Sequence, residues 1–320
     1  MDTLTRQKNG MTEKNPANIS IIIPVYNEEL AIKSVLEDIY AVINDLAYNC
    51  EILIVDDGSI DNTVEIAGEF PVSIYQHPQN LGYGAALKTG ITNANNEIIC
   101  ILDADGTYPV KDIPKLASML IEKKLDMVVG ARVNANAAIP AIRKPAKWVI
   151  GQLAKLSVGV NIPDINSGFR VFKRDVAVNF FNLLPNGFSF TTTITLAMLN
   201  NQYSVQFVPI DYYHRIGKSK ISPIRDTITF LVLITRIALY FAPLKVFLAI
   251  SLIMILCAIF WGAFSLLVLG RLADISTLVI FLSAIQIGVI GLIAEHINHR
   301  ISNEYHKAKM RPLHRDESKQ

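Results

Sequence analysis

The sequence predicts an α/β protein whose larger part folds as a doubly wound, mostly parallel sheet, followed by interfacial helices and two transmembrane helices. Three observations carry this. Short apolar runs rich in Ile and Val alternate with amphipathic stretches from Asn18 to Lys220. Pairs of aspartates directly follow two of those runs. Near the C-terminus stand two long stretches without a charged residue.

Taken in order, Ile19 to Pro24 predicts a strand, followed by Val25-Tyr-Asn-Glu28 and an amphipathic helix to about Ala47. Glu51 to Val55 predicts the next strand, ending in Asp56-Asp-Gly-Ser-Ile-Asp-Asn-Thr63, where Ser59 or Asp61 can cap a helix. Val72 to Tyr75 predicts a short strand, then His77-Pro-Gln-Asn-Leu-Gly-Tyr-Gly84 and a helix through about Ala94. Ile98 to Leu102 is β-branched and uninterrupted, as in a strand buried on both faces. Met127 to Val129 predicts a further strand leading to Gly130-Ala-Arg132. Such alternation with short connections implies parallel strands joined by right-handed crossovers.

Open α/β sheets bind ligands at the carboxyl ends of their strands. There Asp103 and Asp105 can converge on one ion, and two hard anionic ligands suit Mg²⁺ or Mn²⁺ bridging to substrate phosphates. Asp is also a common turn residue. Asp56 and Asp57 on a second strand end, however, put several acids along one edge, which a structural role does not require. Asp57 or Asp56 can accept hydrogen bonds from a nucleoside base or ribose. Gly82 and Gly84 either let the backbone approach a phosphate at a helix N-terminus or belong to an ordinary loop. The dinucleotide and P-loop fingerprints are absent from the sequence.

At 320 residues there is room for one large α/β domain and something more. A net charge of +2 argues against a nucleic-acid footprint covering the whole protein. The hydrophobic fraction of 51% is high for a purely soluble enzyme, and the excess gathers after Asp226. Cys50, Cys100 and Cys257 lack metal-ligand spacing and read as buried thiols in a reducing compartment. Residues 1–17 are polar, without the apolar core of a secretory signal, and are expected to be a disordered tail.

Val246 to Gly270 carries no charge and would run roughly 37 Å as a helix, against a hydrocarbon thickness of about 30 Å. Ile275 to Ala294 is a second such stretch, and Arg271-Leu-Ala-Asp274 between them predicts a tight hairpin. The connection has one basic residue, whereas the tail holds Arg300, Lys307, Lys309, Arg311, Arg315 and Lys319. Basic residues stay on the cytoplasmic side, which puts both termini and the N-terminal domain there, on the inner membrane of the cell. Ile221 to Ala242 mixes apolar residues with Arg225, Asp226 and Arg236, a pattern for helices lying in the interface. The expected division is therefore a tail (1–17), an α/β domain (18–220), interfacial helices (221–243), a transmembrane hairpin (244–296) and a basic tail (297–320).

Ile21-Ile-Ile-Pro-Val-Tyr-Asn-Glu28, Val55-Asp-Asp-Gly-Ser-Ile-Asp-Asn-Thr63, Asn80-Leu-Gly-Tyr-Gly-Ala-Ala86 and Asp103-Ala-Asp105 together resemble the family 2 glycosyltransferases, which share GT-A, a Rossmann-like nucleotide-sugar fold. The likeness is strongest to the polyprenyl-phosphate, or dolichyl-phosphate mannose synthase-like, group. Asn166-Ser-Gly-Phe-Arg170 and His214-Arg-Ile-Gly-Lys-Ser-Lys220 look like its later motifs. The resemblance implies that Pro24, Tyr26 and Glu28 line the nucleoside pocket and that Asp57 reads the base. It implies that Asp103 contacts the ribose or metal and that Asp105 holds Mg²⁺ or Mn²⁺ against the diphosphate. Where relatives often have Gln as a further metal ligand this chain has Thr107, which is not assigned to the metal.

Arg132, Arg170, Arg215 and Lys218 are the candidate clamps for the diphosphate and the acceptor phosphate, since the planar fork of Arg suits phosphate oxygens. Arg215, Lys218 and Lys220 can equally anchor the domain to anionic headgroups of the bilayer. Asp164 stands where relatives carry an Asp with a proposed base-like role, and it can equally cap the turn after Pro163. The implied reaction is inverting transfer of one sugar from a UDP- or GDP-sugar to polyprenyl phosphate. Relatives assemble through their membrane segments, which allows a homo-oligomer. A processive polysaccharide synthase needs more spans and a Gln-x-x-Arg-Trp signature, and neither Trp148 nor Trp261 stands in one. Transfer to another lipid such as diacylglycerol, or a non-catalytic membrane adaptor, are the remaining alternatives.

Overall fold

The computed structural model describes residues 18–44, 49–132, 162–187, 189–215, 239, 243–270 and 274–309. The expected N-terminal tail, most of the interfacial segment, Arg271 and the end of the basic tail lie outside the described residues. The chain divides into two compact units, one holding the sheet and the other the C-terminal helices.

The sheet has seven strands: β1 (Asn18–Val25), β2 (Asn49–Asp56), β3 (Ser73–Gln76), β4 (Ile98–Ile101), β5 (Met127–Ala131), β6 (Arg170–Lys173) and β7 (Val205–Pro209). Their order is β3-β2-β1-β4-β6-β5-β7. All pairings are parallel except those of β6, which runs opposite to both β4 and β5. Ile19, Ile21, Ile22 and Ile23 are all fully buried, so β1 is covered on both faces and reads as a continuous apolar run. Pro24 fits this central strand for a specific reason. Ile22 C=O accepts from Leu102 N–H at 3.2 Å, so Pro24, two residues on, turns its nitrogen to the same side, where β4 has already ended. Its missing N–H therefore removes no ladder bond.

Helices α1 (Ile32–Asn44), α2 (Thr63–Ala67), α3 (Tyr83–Asn93), α4 (Ile113–Glu122), α5 (Arg174–Asn179) and α6 (Phe190–Asn200) separate the strands. In α1 the buried residues Ile32, Val35, Leu36 and Ile39 repeat at helical spacing. α3 lies so near β1 that a Cβ on Gly90 would fall 2.4 Å from Ile22 Cγ2. Arg174 ends α3 by donating from Nε to Ile91 O (2.9 Å) and from Nη2 to Thr92 O (2.8 Å), filling two otherwise orphan carbonyls. At the start of α2, of the two expected caps it is Asp61 that takes a helix N–H. The N-cap position is Asn62, whose side chain makes no capping bond. Asp61, one residue earlier, accepts from Thr63 N–H at 3.1 Å.

In the second unit, α7 (Pro243–Leu269) and α8 (Asp274–Lys309) are each long and apolar enough to cross a membrane. Gly270, at φ +66°, closes α7 in the left-handed conformation that favours glycine. Small residues let the pair approach: Ser251 Oγ donates to Ala284 O (2.7 Å), and a Cβ on Gly291 would lie 2.6 Å from Phe247 Cβ. Trp261 Nε1 donates to Ser276 Oγ at 2.9 Å, and Leu244 N–H donates to Glu295 Oε2 at 3.3 Å. α8 runs on as helix to Lys309, through the first part of the expected basic tail (297–320). The thiols also differ from expectation: Cys100 is buried, Cys50 half-buried, and Cys257 exposed on the apolar surface of α7.

Candidate active site

β2 and β3 lie to one side of β1, and β4 and the remaining strands to the other, so the winding reverses between β1 and β4. Ligands of open α/β sheets bind at such a switch point. On this edge Tyr26 and Glu28 follow β1, Asp56 and Asp57 close β2, Asp103 and Asp105 follow β4, and Arg132 follows β5.

Asp105 is held by its own turn. Thr107 donates to Asp105 Oδ1 from its N–H (3.1 Å) and its hydroxyl (2.6 Å), the local side-chain-to-backbone geometry of an Asp-x-Thr turn. Its other oxygen faces Arg215 Nη1 at 3.4 Å, and Arg215 Nη2 donates to Glu28 Oε1 at 2.8 Å. Arg215 arrives there because the chain after β7 folds back over the same turn. Tyr213 N–H donates to Thr107 O (2.9 Å), and the Tyr212 ring meets Tyr108 edge-on, with centroids 5.6 Å apart.

Asp103 Oδ1 accepts from the Tyr83 hydroxyl at 2.8 Å. Its Oδ2 lies against Gly168, where a Cβ would come within 2.4 Å. Burial, and then the neighbouring Asp105 charge, push the Asp103 carboxyl up to about 6. Two hard carboxylates side by side in a sheltered cleft are a donor set that fits Mg²⁺ or Mn²⁺. Among the described residues no third His, Cys, Asp or Glu joins them, so phosphate oxygens and water would complete the shell.

The structure distributes the other sequence-derived candidates differently. Pro24 is buried within β1 and Tyr26 is half-buried just beyond it. Asp57 is buried, and its carboxylate faces inward: Oδ1 takes Leu81 N–H (2.9 Å) and pairs with His77 Nδ1 (2.8 Å), while Oδ2 takes Gly82 N–H (2.8 Å). Gly82 and Gly84 approach protein backbone: added Cβ atoms would lie 2.4 Å from Asn186 O and 2.2 Å from Pro185 O. Ala85 N–H, in the first turn of α3, donates to Asn186 O, so this helix start meets a carbonyl where a phosphate had been considered.

Arg170 is the largest departure. It is fully buried, and its guanidinium donates to Ser167 O, Thr191 O (3.0 Å) and Thr195 Oγ1 (2.9 Å). It therefore clasps the 166–168 turn to the start of α6 and does not open onto the cleft. Burial lowers its affinity for the proton, to about 10, which leaves it charged at neutral pH.

Arg132 and Asp164 pair with each other. Arg132 Nε donates to Asp164 Oδ2 (2.6 Å) and Nη2 to Oδ1 (2.9 Å), a fork-to-fork bond, with the guanidinium 5.2 Å from the Tyr212 ring centre. Burial raises the Asp164 carboxyl, but the Arg132 bonds outweigh it and hold the group below the usual carboxylate range. An acid so held is a poor proton acceptor near neutrality. Asp164 also accepts from Asn166 N–H (3.2 Å), the turn-capping role. Lys218 lies outside the described residues.

Sequence reasoning missed Tyr83, Gly168 and the orienting role of Thr107. The last had a signal in its spacing, since Asp-x-Thr is a local turn pattern. Tyr83 had a weaker one, a tyrosine enclosed by two glycines at a predicted helix start.

Residues 20–181 match the Glycosyl transferase family 2, and residues 242–299 match the GtrB C-terminal hairpin. The dolichyl-phosphate hexose transferase of Haloferax volcanii is 32% identical over 67% of this chain and 90% of its own. The undecaprenyl-phosphate 4-deoxy-4-formamido-L-arabinose transferase of Photorhabdus laumondii is 30% identical over 89% of this chain and 90% of its own. Among solved structures, the glucosyl-3-phosphoglycerate synthase of Mycobacterium tuberculosis, crystallised with Mn²⁺, UDP and phosphoglyceric acid, superposes with a TM-score of 0.54 at 19% identity. That comparison covers 69% of this chain and 78% of the synthase, and it establishes a common GT-A fold. With its carboxylates at the switch point and its hairpin matched as well, the chain belongs to glycosyl transferase family 2 and is a glycosyltransferase.

Proposed function

We propose that this glycosyltransferase moves one sugar, with inversion, from a UDP- or GDP-sugar to a polyprenyl phosphate at the cytoplasmic face of the inner membrane. The observation that carries the reading is the convergence of Asp105, Glu28 and Arg215 at the switch point of a chain that also bears a membrane-length hairpin. Relatives named for dolichyl- and undecaprenyl-phosphate transfer support the acceptor class.

In this reading Asp103 and Asp105 hold Mg²⁺ or Mn²⁺ against the donor diphosphate, and the ion supplies charge neutralisation for the departing nucleotide. Tyr26 and Glu28 border the nucleoside, and Asp57 shapes that border through the 77–82 loop. Arg215 lies between the two acids and turns its fork to phosphate oxygens when donor and acceptor bind. Lys218, three residues on, adds a point charge for the acceptor. A phosphate monoester has its second pKa near 6 and is largely dianionic at neutral pH. Its oxygen attacks the anomeric carbon as the bond to the nucleotide diphosphate breaks, and no general base is needed. That agrees with an Asp164 committed to Arg132. In this reading the basic residues beyond the second span keep the α/β domain and both termini in the cytoplasm, and copies assemble through the hairpin.

The test incubates the full-length protein in membranes with UDP- and GDP-sugars, undecaprenyl phosphate and Mg²⁺ or Mn²⁺. Metal-dependent formation of a lipid-linked sugar is expected, reduced by about 10²-fold or more in Asp105→Ala. Full activity of that variant removes the metal assignment, and glycosylation of diacylglycerol in place of the lipid phosphate removes the acceptor.

A further inference from the structure

We infer that Tyr83 is a positioning residue for the carboxylate pair: its phenol orients Asp103 for the cation, and Asp57 holds that phenol in place through the 77–82 loop. The inference rests on the metal reading of Asp103 and Asp105 given above.

Gly82 has φ +106°, a backbone conformation L side chains rarely adopt, and it precedes Tyr83 directly. The N–H groups of Leu81 and Gly82 both end on Asp57, at 2.9 and 2.8 Å. His77 braces the same carboxylate through Nδ1 and reaches Thr89 Oγ1 on α3 through Nε2 at 2.9 Å. On its other side the loop is pressed onto Pro185 and Asn186, with no room for a side chain at residue 82 or 84. The helix start is thus fixed from two directions.

The Tyr83 hydroxyl then meets Asp103 Oδ1 at 2.8 Å. A phenylalanine would fill the same volume and lack this bond, and a buried hydroxyl without a partner is costly. A phenol is protonated at neutral pH, and facing a carboxylate oxygen it can only be the donor of this bond. A bond to one oxygen fixes the carboxylate rotamer and leaves further lone pairs on both oxygens. Groups that orient metal ligands in this way typically change metal affinity 10- to 100-fold when removed. The arrangement also explains why an acid at the end of β2 bears on chemistry at the end of β4.

The test measures Mn²⁺ affinity by electron paramagnetic resonance on the full-length protein in detergent, with and without UDP or GDP. Tyr83→Phe is expected to weaken Mn²⁺ binding about tenfold with an unchanged melting temperature. Asp57→Asn, which sets an amide against the loop N–H groups, is expected to weaken it as well. The double variant should be no worse than the poorer single one, because both act through one bond. Wild-type affinity in Tyr83→Phe overturns the role of Tyr83, whether or not Asp57→Asn folds, and full additivity overturns the link to Asp57. A wild-type protein that binds no Mn²⁺ under any of these conditions overturns the metal reading and the inference with it, which separates the two failures.

Discussion

Gly168 stands where the carboxylate of Asp103 leaves no space for a Cβ, since added carbon would meet Oδ2 at 2.4 Å and Cγ at 2.8 Å. Gly168 N–H also donates to the Tyr108 hydroxyl (2.7 Å), so the backbone there has little freedom to retreat. Gly168→Ala is therefore expected to displace Asp103, cutting transfer by about 10²-fold, as misplacements near 1 Å can do. Steady-state rates alongside a melting curve check this, with a melting temperature lowered by only a few degrees. At this scale the sequence was an uneven guide. Asp103 and Asp105 were readable because a buried strand and a following turn dictate where their side chains go. Arg170 was not, because burial depends on which strand pairs with which. Neither was the Arg132–Asp164 bond, whose partners are 32 positions apart and share no local pattern.

The elements were more visible than their arrangement. β1, β2 and β4 announce themselves as β-branched runs because both faces of the sheet are covered. β6 has only four residues, begins with an arginine and runs against its neighbours, so no periodicity separates it from a loop. In the hairpin, length and composition predicted two spans, but the seam lies in details that hydropathy averages away. Gly288 faces Ser251 and Gly291 faces Phe247, each where a larger residue would force the helices apart. Gly291→Leu should overpack this seam and destabilise it by about 1–3 kcal/mol. Unfolding of the purified protein in mixed micelles of rising SDS content would register the loss. Leu292→Ile, on the exposed side, serves as the control and should leave the midpoint unchanged.

For the whole molecule, the reversed direction of β6 decides how the chain travels. β5 ends and β6 begins on the same edge of the sheet, the edge that carries the carboxylates. The stretch from Arg132 to Asp164 therefore departs and returns at one place, and its two ends are bolted together by that residue pair. The entropy of closing such a stretch grows only slowly with its length. The pairing of β5 with β6 is set by Met127 to Val129 and Arg170 to Phe172, outside that stretch. Replacing residues 133–161 with the corresponding stretch of a family relative should leave the melting temperature within a few degrees of wild type, while the same exchange with Arg132→Ala should not. With that outcome, Arg132 and Asp164 would mark the borders of a cassette, a place where inheritance or an engineer could rewrite the text of this enzyme without refolding it.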